Sequence, residues 1–240
     1  NKTFMTKLAG EHRQISGWRL FQIVFIVSLI CEMIRSEYKN DPNIAEADIE
    51  TANLLYFPTG GGKTEAFLGA CVFNMFFDRL RGKNDGITAF LKYPLRLLAV
   101  QQLDRVLMIV MKANVVRESS GELAHKTPFQ VGFFVGKGNT PNKIDSFERL
   151  SERGDKNKTK DLILESDSET LNEYYRFIDT CPYCGKKHVN LRFNRDTWRL
   201  EHVCDNPECP IMVLPLMIVD NEIYRYLPSI VVSTIDKMAM

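Results

Sequence analysis

The sequence predicts an α/β fold, in which a parallel β-sheet is flanked by helices and carries a small cysteine-rich insertion. Short apolar runs typical of buried strands alternate with helical segments along the 240 residues, and this alternation favours a parallel sheet with right-handed crossovers. The first apolar run, at residues 53–57, leads into three glycines and then a helical segment. Two pairs of closely spaced cysteines follow much later. A chain of this length can form one sizeable core with a smaller insertion.

The first predicted helix covers residues 17–35, where aromatic and aliphatic residues such as Trp18 and Phe25 recur near helical spacing. Its apolar run at 23–31 is too short to span a bilayer, so we interpret it as a buried helix. Gln22 lies near the start of this helix. A carboxamide offers a donor and an acceptor together, which suits the edge of adenine. The alternative for Gln22 is a surface amide.

The most informative stretch is residues 54–65, which reads Leu-Leu-Tyr-Phe-Pro-Thr-Gly-Gly-Gly-Lys-Thr-Glu. Glycines let backbone N–H groups curl around an anionic oxygen, and the following helix N-terminus favours phosphate. Lys63 is placed to reach the β- and γ-phosphates of ATP, and the Thr64 hydroxyl to ligate Mg²⁺. The alternative is a glycine-rich turn with a chance lysine. With Lys63 and Thr64 as catalytic residues, the predicted nucleotide site comprises Gln22, Thr59, Gly60, Gly61, Gly62, Lys63, Thr64 and Glu65.

The segments after the loop continue the alternation of helices and strands. A helix over residues 64–81 is apolar almost all round, which predicts burial, and Gly82 is its predicted end. A strand at 88–93, an amphipathic helix at 97–113 and a strand at 130–135 follow. Together these segments predict the crossover units of a parallel sheet.

The pattern changes at residues 139–180, which are rich in charged and polar side chains and predict a mobile or loosely helical linker. The spacing C-x₂-C-x₁₉-C-x₄-C follows. Four soft thiolate ligands form a closed tetrahedral site that selects Zn²⁺. His188 and His202 are alternative ligands, but a four-cysteine set is simpler. The predicted ligands are Cys181, Cys184, Cys204 and Cys209.

Strand-like apolar runs return at residues 213–220 and 230–234. The predicted organisation therefore places the first part of the nucleotide-binding domain at 1–138 and the linker at 139–180. The zinc-binding insertion occupies 181–212, and the core resumes at 213–240.

Charge and cysteine usage restrict the classes of function. The net charge is only +1, so any contact with nucleic acid must come from a local patch. Cys31 and Cys71 lie in apolar stretches, and this pattern predicts that both are inert thiols of the core. The sequence shows neither a signal peptide nor an apolar run long enough to span a membrane. We therefore expect a cytoplasmic protein with no membrane partner.

The segment Pro-Leu-Arg-Leu-Leu-Ala-Val-Gln at residues 94–101 resembles the Pro-Thr-Arg-Glu-Leu-Ala-x-Gln motif of superfamily 2 helicases. Six of these eight positions match. The glycine loop resembles the short Thr-Gly-x-Gly-Lys-Thr form of that superfamily, and Gln22 stands where its members often keep an adenine-reading glutamine. The resemblance implies a first RecA-like domain. It also implies that Arg96 and Gln101 contact the backbone of a nucleic-acid strand.

Two weaker correspondences extend this resemblance. Ser-Thr-Ile-Asp-Lys at residues 233–237 is similar to the Thr-Pro-Gly-Arg motif, although only Thr234 matches and Lys237 replaces the arginine. The resemblance assigns Thr234 and Lys237 as further strand contacts. The turn Gly-Lys-Gly at 136–138 falls where these helicases keep a Gly-Gly contact.

At a finer level the chain resembles the helicase subunit of DISARM-type bacterial phage-defence systems. Residues 54–69, 93–102 and 214–239 carry this resemblance together with the cysteine pairs, and in order they cover most of residues 17–240. It implies DNA as the substrate, single- or double-stranded, and other subunits of the defence system as partners.

Residues 216–222, Leu-Met-Ile-Val-Asp-Asn-Glu, look like a Walker B strand followed by acids. Helicase order places the Thr-Pro-Gly-Arg-like motif before the catalytic Asp-Glu box, whereas Thr234 follows Asp220 here. We therefore interpret Asp220 and Glu222 as non-catalytic. This interpretation expects the acidic box and the second motor domain beyond Met240, and a fragment that is inactive by itself.

The leading functional hypothesis is an ATP-dependent DNA helicase or translocase in phage defence, with ATP, Mg²⁺ and Zn²⁺ as cofactors. The alternative is a nucleotide-gated module that does not hydrolyse ATP and uses its zinc ribbon to bind nucleic acid or protein. A phosphotransferase on the same loop is a weaker third possibility. Small-molecule kinases have no need of a strand-backbone motif at 94–101.

Overall fold

The computed structural model describes residues 4–8, 11–15, 17–43, 52–56, 58, 60–135, 140–145, 162–163, 172–173, 175–187 and 189–238. The chain divides into two compact units, Asn1–Asn74 and Met75–Met240. In the part of the chain that the structure describes, no helix combines the length and the apolar character needed to cross a membrane.

The first unit begins with an antiparallel hairpin of β1 (Phe4–Leu8) and β2 (Glu11–Ile15), which the polar sequence of residues 1–16 did not indicate. Helix α1 (Leu20–Glu37) follows and agrees with the predicted helix. Only Gln22 and Phe25 are buried along α1, so the prediction of a buried helix is wrong. An apolar helix buries only the face that meets a neighbour, and here Phe25 packs edge-on against Phe67 at 5.1 Å between ring centroids.

Helix α2 (Lys63–Leu80) starts in the first unit and ends in the second. Gly82 has φ +93° and follows the helix end, as predicted. Burial all round the helix was a wrong expectation, because Phe67 and Leu80 are exposed. Residues 52–56 do not form the predicted strand. An apolar run becomes a strand only where a neighbouring strand offers ladder hydrogen bonds.

The second unit contains a four-stranded sheet in which every neighbouring pair is parallel, as predicted. Its strands are β3 (Ala89–Tyr93), β4 (Val131–Phe134), β9 (Leu216–Met217) and β10 (Ile230–Thr234), in the order β3-β10-β4-β9. Every residue of β10 is buried, as expected of a central strand.

Helix α3 (Arg96–Ser119) connects β3 to β4 and packs against both strands and β10. It runs past the predicted end at residue 113 because polar residues in its last turns are bonded inside the protein. Asn114 holds Phe129 by two hydrogen bonds of 2.8 and 2.9 Å. The guanidinium of Arg117 donates to the carbonyls of Leu123, Ala124 and Lys126. These contacts position the entry to β4.

The predicted strand at residues 213–220 is much shorter in the structure. Only β9 joins the sheet, and the chain then turns into helix α4 (Asp220–Tyr226). Ile223 of α4 packs with Phe134, Met217 and Val231 over the sheet. A last short helix, α5 (Ile235–Met238), follows β10.

Two small sheets lie between β4 and β9. Strands β5 (Ile144–Asp145) and β6 (Leu162–Ile163) form one parallel pair within the predicted linker. Strands β7 (Val189–Asn194) and β8 (Arg199–Cys204) form an antiparallel hairpin in the cysteine-rich insertion. Trp198 ends the turn of that hairpin with φ +57°.

Candidate nucleotide, strand and metal sites

The glycine loop enters α2 through backbone conformations that favour glycine. Gly60 has φ +77° and Gly62 has φ +91°, values that strain most other residues. The N–H of Gly61 donates to the carbonyl of Pro58 at 3.2 Å and closes the turn. A Cβ on Gly62 would lie 2.6 Å from Gln22 Nε2. The φ of Gly62 therefore favours glycine, and any larger residue there would also displace the Gln22 carboxamide.

The start of α1 holds this loop from one side. Arg19 Nη1 donates to the carbonyl of Gly61, and Gln22 Nε2 donates to the carbonyl of Gly62, each at 2.8 Å. In a trans peptide the carbonyl and the following N–H point in opposite directions. The N–H groups of Gly62 and Lys63 therefore point away from Arg19 and Gln22. They lie at the start of α2, and the N-terminus of a helix favours a phosphate.

Gln22, the predicted adenine contact, is buried, and both polar atoms of its carboxamide make hydrogen bonds within the protein. Its Oε1 accepts from the Arg19 N–H at 2.8 Å, in addition to the bond that Nε2 makes to the loop. Each carboxamide atom keeps one further bonding position, so an adenine contact stays a prediction. Lys63, Thr64 and Glu65 form the first turn of α2, and Thr59 lies outside the described residues. Arg19 was missed because an arginine at a helix start carries no distinctive pattern.

The predicted strand contacts follow two neighbouring strands of the sheet. Thr234 of β10 pairs in register with Tyr93 of β3, so the segments that carry Arg96 and Lys237 leave the sheet at the same edge. Arg96 and Gln101 are exposed on α3, whereas Thr234 is buried. The structure thus brings the two motifs to one edge, but Thr234 of the second motif is buried and its Lys237 is paired with Asp220. The turn at residues 136–138 lies outside the described part of the chain.

Both acids of the Walker B-like run are engaged by protein groups. Asp220 Oδ2 accepts a hydrogen bond from Lys237 Nζ at 2.6 Å. Glu222 Oε1 accepts from the backbone N–H of Leu200 at 2.6 Å. Burial raises the pKa of Glu222 to about 7, although the Leu200 bond and the Arg199 charge act in the opposite direction. Asp220 therefore joins α4 to α5, and Glu222 joins α4 to the β7–β8 hairpin.

The four cysteines of the insertion come together. Their Sγ atoms all lie within 4.8 Å of one another. Cys181 and Cys209 are 4.0 Å apart, and Cys184 and Cys204 are 3.8 Å apart. A tetrahedral zinc ion with Zn–S bonds of about 2.3 Å requires sulfurs about 3.8 Å apart. The described residues therefore provide a cluster that could hold a metal ion and that has the size and ligand type of a zinc site.

Turns on both sides of the cluster hold the cysteines in place. The N–H of Gly185 donates to the carbonyl of Cys181 at 2.8 Å, and the N–H of Cys181 donates to the carbonyl of Lys186 at 3.0 Å. Gly185 adopts φ +73°, which glycine allows at low cost. On the other side, the N–H of Cys209 donates to the carbonyl of Asn206 at 2.9 Å. These turns preorganise the thiols before a metal binds.

The proton affinities of the thiols differ strongly. Burial raises the pKa of Cys204 to about 12 and also raises that of Cys209. Burial would raise the pKa of Cys184 too, but hydrogen bonds from the Lys186 backbone and the Asn206 side chain outweigh it and lower this pKa to about 7. A cation is therefore needed to hold Cys204 and Cys209 as thiolates at neutral pH.

The alternative ligand His202 is fully buried in β8 and lies outside the four-cysteine cluster. Neither of its ring nitrogens has a hydrogen-bond partner among the described residues. Burial lowers the pKa of His202 to about 3, so the ring is neutral. His188 lies outside the described residues.

The chain is similar along its whole length to the DISARM protein DrmA of Bacillus paralicheniformis (strain ATCC 9945a / NCIMB 11709 / CD-2), with 34% identity over 258 aligned residues. It spans 21% of the length of that relative. No protein-family model matches the chain. The similarity supports a relationship to DISARM proteins, in agreement with the resemblance found in the sequence.

Proposed function

We propose that the chain is the ATP-binding motor domain, of the first RecA-like type, of a superfamily 2 DNA helicase or translocase that acts in DISARM-type phage defence. One observation carries the proposal: the N–H groups of Gly62 and Lys63 point away from the α1 residues that hold the loop, at the start of α2. The similarity to DrmA supports the role in defence. Because the chain spans 21% of that relative, the proposal concerns the activity of the protein that contains it.

In this proposal the loop binds the phosphates of ATP and orients them. The N–H groups of Gly62 and Lys63 donate to phosphate oxygens, and the Lys63 ammonium neutralises charge at the β- and γ-phosphates. The Thr64 hydroxyl is the proposed Mg²⁺ ligand. Bound ATP supplies the phosphoanhydride whose hydrolysis drives movement. Arg19 and Gln22 hold the loop carbonyls on their own side, so the N–H groups of the same peptides face the opposite side.

The strand of DNA is proposed to bind at the carboxyl edge of β3 and β10, where open α/β sheets commonly bind ligands. Arg96 at the start of α3 is exposed and suits a phosphate, both by its charge and by the N–H groups of that helix end. Gln101 lies further along the same helix. Lys237 would have to leave Asp220 before it could contact a strand.

Zn²⁺ is proposed as a structural ion at Cys181, Cys184, Cys204 and Cys209. Four protein ligands fill a tetrahedral ion and leave no position for substrate. The ion would join the turn at residues 181–185 to the turn at 206–209, and it would fix the β7–β8 hairpin between them.

One observation would favour the alternative, a nucleotide-gated binding module without hydrolysis, if the Walker B-like run were the acidic box of the motor. The carboxylates of Asp220 and Glu222 are both used in contacts within the protein. ATP hydrolysis requires a carboxylate that is available to hold Mg²⁺ and orient water. On this alternative, ATP would change the conformation of the domain, and the zinc-bearing insertion would bind the partner.

The test is ATP hydrolysis by the full-length protein with and without single- and double-stranded DNA. We expect stimulation by DNA that Lys63→Ala removes and that the exposed control Lys39→Ala leaves unchanged. Binding of ATP without turnover under every condition would select the non-hydrolysing module. Absence of ATP binding would overturn both functions.

A further inference from the structure

A cavity of about 290 Å³ lies between the turn of the β7–β8 hairpin and helix α4, within the second unit. Trp198 lines it from the hairpin turn, and Glu222, Arg225 and Tyr226 line it from α4. Small-molecule pockets begin at about this volume and combine apolar walls with a few polar groups. The cavity is therefore large enough for one small planar ligand.

Glu222, which lines this cavity, has an acceptor atom without a partner among the described residues. The residue is only 3% exposed. Its Oε1 accepts from the Leu200 N–H at 2.6 Å, whereas its Oε2 is buried and has no hydrogen-bond partner among the residues that the structure describes. Buried polar atoms are almost always paired, so an unpaired one needs an explanation. A ligand that donates a hydrogen bond would complete the site.

The aromatic walls of the cavity are held in place. Tyr226 Oη donates to the carbonyl of Thr197 at 2.7 Å, which ties α4 to the hairpin turn. Trp198 packs against Phe193 with ring centroids 5.3 Å apart, yet 38% of its surface is exposed. An indole fixed in this way is a suitable stacking surface for a planar ring.

The charge around the cavity favours an anionic ligand over an organic cation. The guanidinium groups of Arg199 and Arg225 each lie 5.1 Å from the centroid of the Tyr226 ring. The nearby Glu201 carboxylate is already paired with Arg192 at 2.9 Å. The Arg225 guanidinium, which lines the cavity, would attract a phosphate and repel an amine, whereas the Arg199 charge acts on the Glu222 carboxylate.

We propose that this cavity binds one nucleotide, with the base stacked on Trp198, an amino group of the base donating to Glu222 Oε2, and the phosphate near Arg225. Cytosine is the best match, because carboxylates accept hydrogen bonds from its N4 amino group. Thymine presents a carbonyl at the corresponding position and is expected to bind less well. The nucleotide could belong to a DNA strand or be free, and the experiment distinguishes these sources.

This inference rests on the proposed DNA-dependent motor and adds a second contact with the strand, at the zinc-bearing hairpin. The probe is a deoxycytidine oligonucleotide that carries 5-iododeoxycytidine, crosslinked by light to the full-length, zinc-loaded protein and mapped by mass spectrometry. We expect crosslinks to Trp198 or Tyr226, competed better by a deoxycytidine oligonucleotide than by a thymidine one. Stacking contacts contribute about 5- to 150-fold in affinity, so Trp198→Ala should weaken binding by at least about fivefold.

Controls separate loss of the contact from loss of the fold. Trp198→Phe keeps a ring and should retain part of the crosslink, and Glu222→Gln should reduce the preference for cytosine over thymine. Trp18→Phe, in the first unit, should change nothing. Each variant should keep its zinc, which reports on the integrity of the hairpin. Parallel crosslinking with free 5-iododeoxycytidine monophosphate separates the two sources. Crosslinks from the monophosphate but not from the oligonucleotide would support the cavity and assign it to free nucleotide.

The failures of the two proposals are distinguishable. DNA binding and DNA-stimulated ATP hydrolysis without any crosslink at Trp198 or Tyr226 would overturn the nucleotide cavity and leave the motor intact. The deoxycytidine and thymidine oligonucleotides could also compete equally well, both with wild type and with Glu222→Gln. That result would overturn the proposed recognition of the base. Absence of both DNA binding and ATP hydrolysis would overturn the motor and the cavity together.

Discussion

Lys237 Nζ lies 2.6 Å from Asp220 Oδ2, and both side chains are only 7% exposed. The ammonium group also lies 4.6 Å from the centroid of the Phe134 ring. This pair links the segment after β10, which resembles a strand-contact motif, to the first residue of α4. The lysine is therefore part of the packed core in this conformation of the protein.

Removing the lysine should destabilise the second unit, because Asp220 would keep a buried charge without this partner. Breaking a buried ion pair typically costs about 3–5 kcal/mol. We expect Lys237→Ala to lower the free energy of unfolding by this amount in urea titrations. The double variant Asp220→Asn/Lys237→Met should recover much of the loss. A Lys237→Ala protein as stable as wild type would show that the pair contributes little.

Zinc should be present at one equivalent per chain when the protein is produced with sufficient metal. Elemental analysis is the measurement, and Cys184→Ser should reduce the content sharply, whereas Cys31→Ser, an exposed thiol outside the cluster, should not. Chelation should unfold the β7–β8 hairpin locally, because metal binding contributes to the folding free energy of such small sites. Less than about half an equivalent of zinc in metal-replete protein would contradict a structural zinc site.

Glu222 should make stability depend on pH. Burial raises its pKa from 4.5 to about 7 in the folded protein, so the folded state binds this proton more tightly than the unfolded state. The associated stability is complete below about pH 4.5 and is lost as the pH rises through about 7. The shift corresponds to at most about 3 kcal/mol. We expect Glu222→Gln to remove this part of the pH dependence in thermal unfolding between about pH 5 and pH 8.

The matched control for Glu222→Gln is Glu122→Gln, because Glu122 is exposed in the turn after α3. Its pH profile should superimpose on that of wild type. If Glu222→Gln shows the same profile as wild type, the carboxyl of Glu222 titrates near its ordinary range and the cavity is better hydrated than the structure indicates.

Arg96 should contribute to the salt dependence of strand binding by the full-length protein. One lost phosphate contact lowers the slope of log affinity against log salt concentration by about 0.7–0.9. We expect Arg96→Ala to show this change, and Lys112→Ala, exposed near the far end of α3, to leave the slope unchanged. Equal slopes for wild type and Arg96→Ala would identify Arg96 as an ordinary surface residue.

Local sequence patterns predicted those features of the structure that depend on the chemistry of a single segment. The apolar runs at β3, β4 and β10 became strands of a parallel sheet, Gly82 followed the end of α2, and the cysteine spacing predicted the thiol cluster. The strands and the helix end depend on residues within the same segment. The thiol cluster was predictable because the spacing of the cysteines is typical of a metal site.

The remaining features depend on contacts between segments that are distant in the sequence, and local sequence patterns do not reveal such contacts. The run at 213–220 was interpreted as one strand, yet only β9 pairs with β4 and Asp220 starts a helix held by Lys237. Arg117 was not singled out, although three carbonyls from the turn after α3 bind its guanidinium. The cavity beside Trp198 is formed by segments more than twenty residues apart in the sequence.

Titration of this chain with ATP in the presence and absence of Mg²⁺ tests the central claim, that the loop from Gly60 to Thr64 is a nucleotide-binding site. We predict saturable, Mg²⁺-dependent binding that Lys63→Ala abolishes and that Lys39→Ala, a substitution of an exposed residue in the same unit, retains. Circular dichroism of both variants would confirm that they are folded. Failure of the folded wild-type chain to bind ATP, or undiminished binding by Lys63→Ala, would contradict the account.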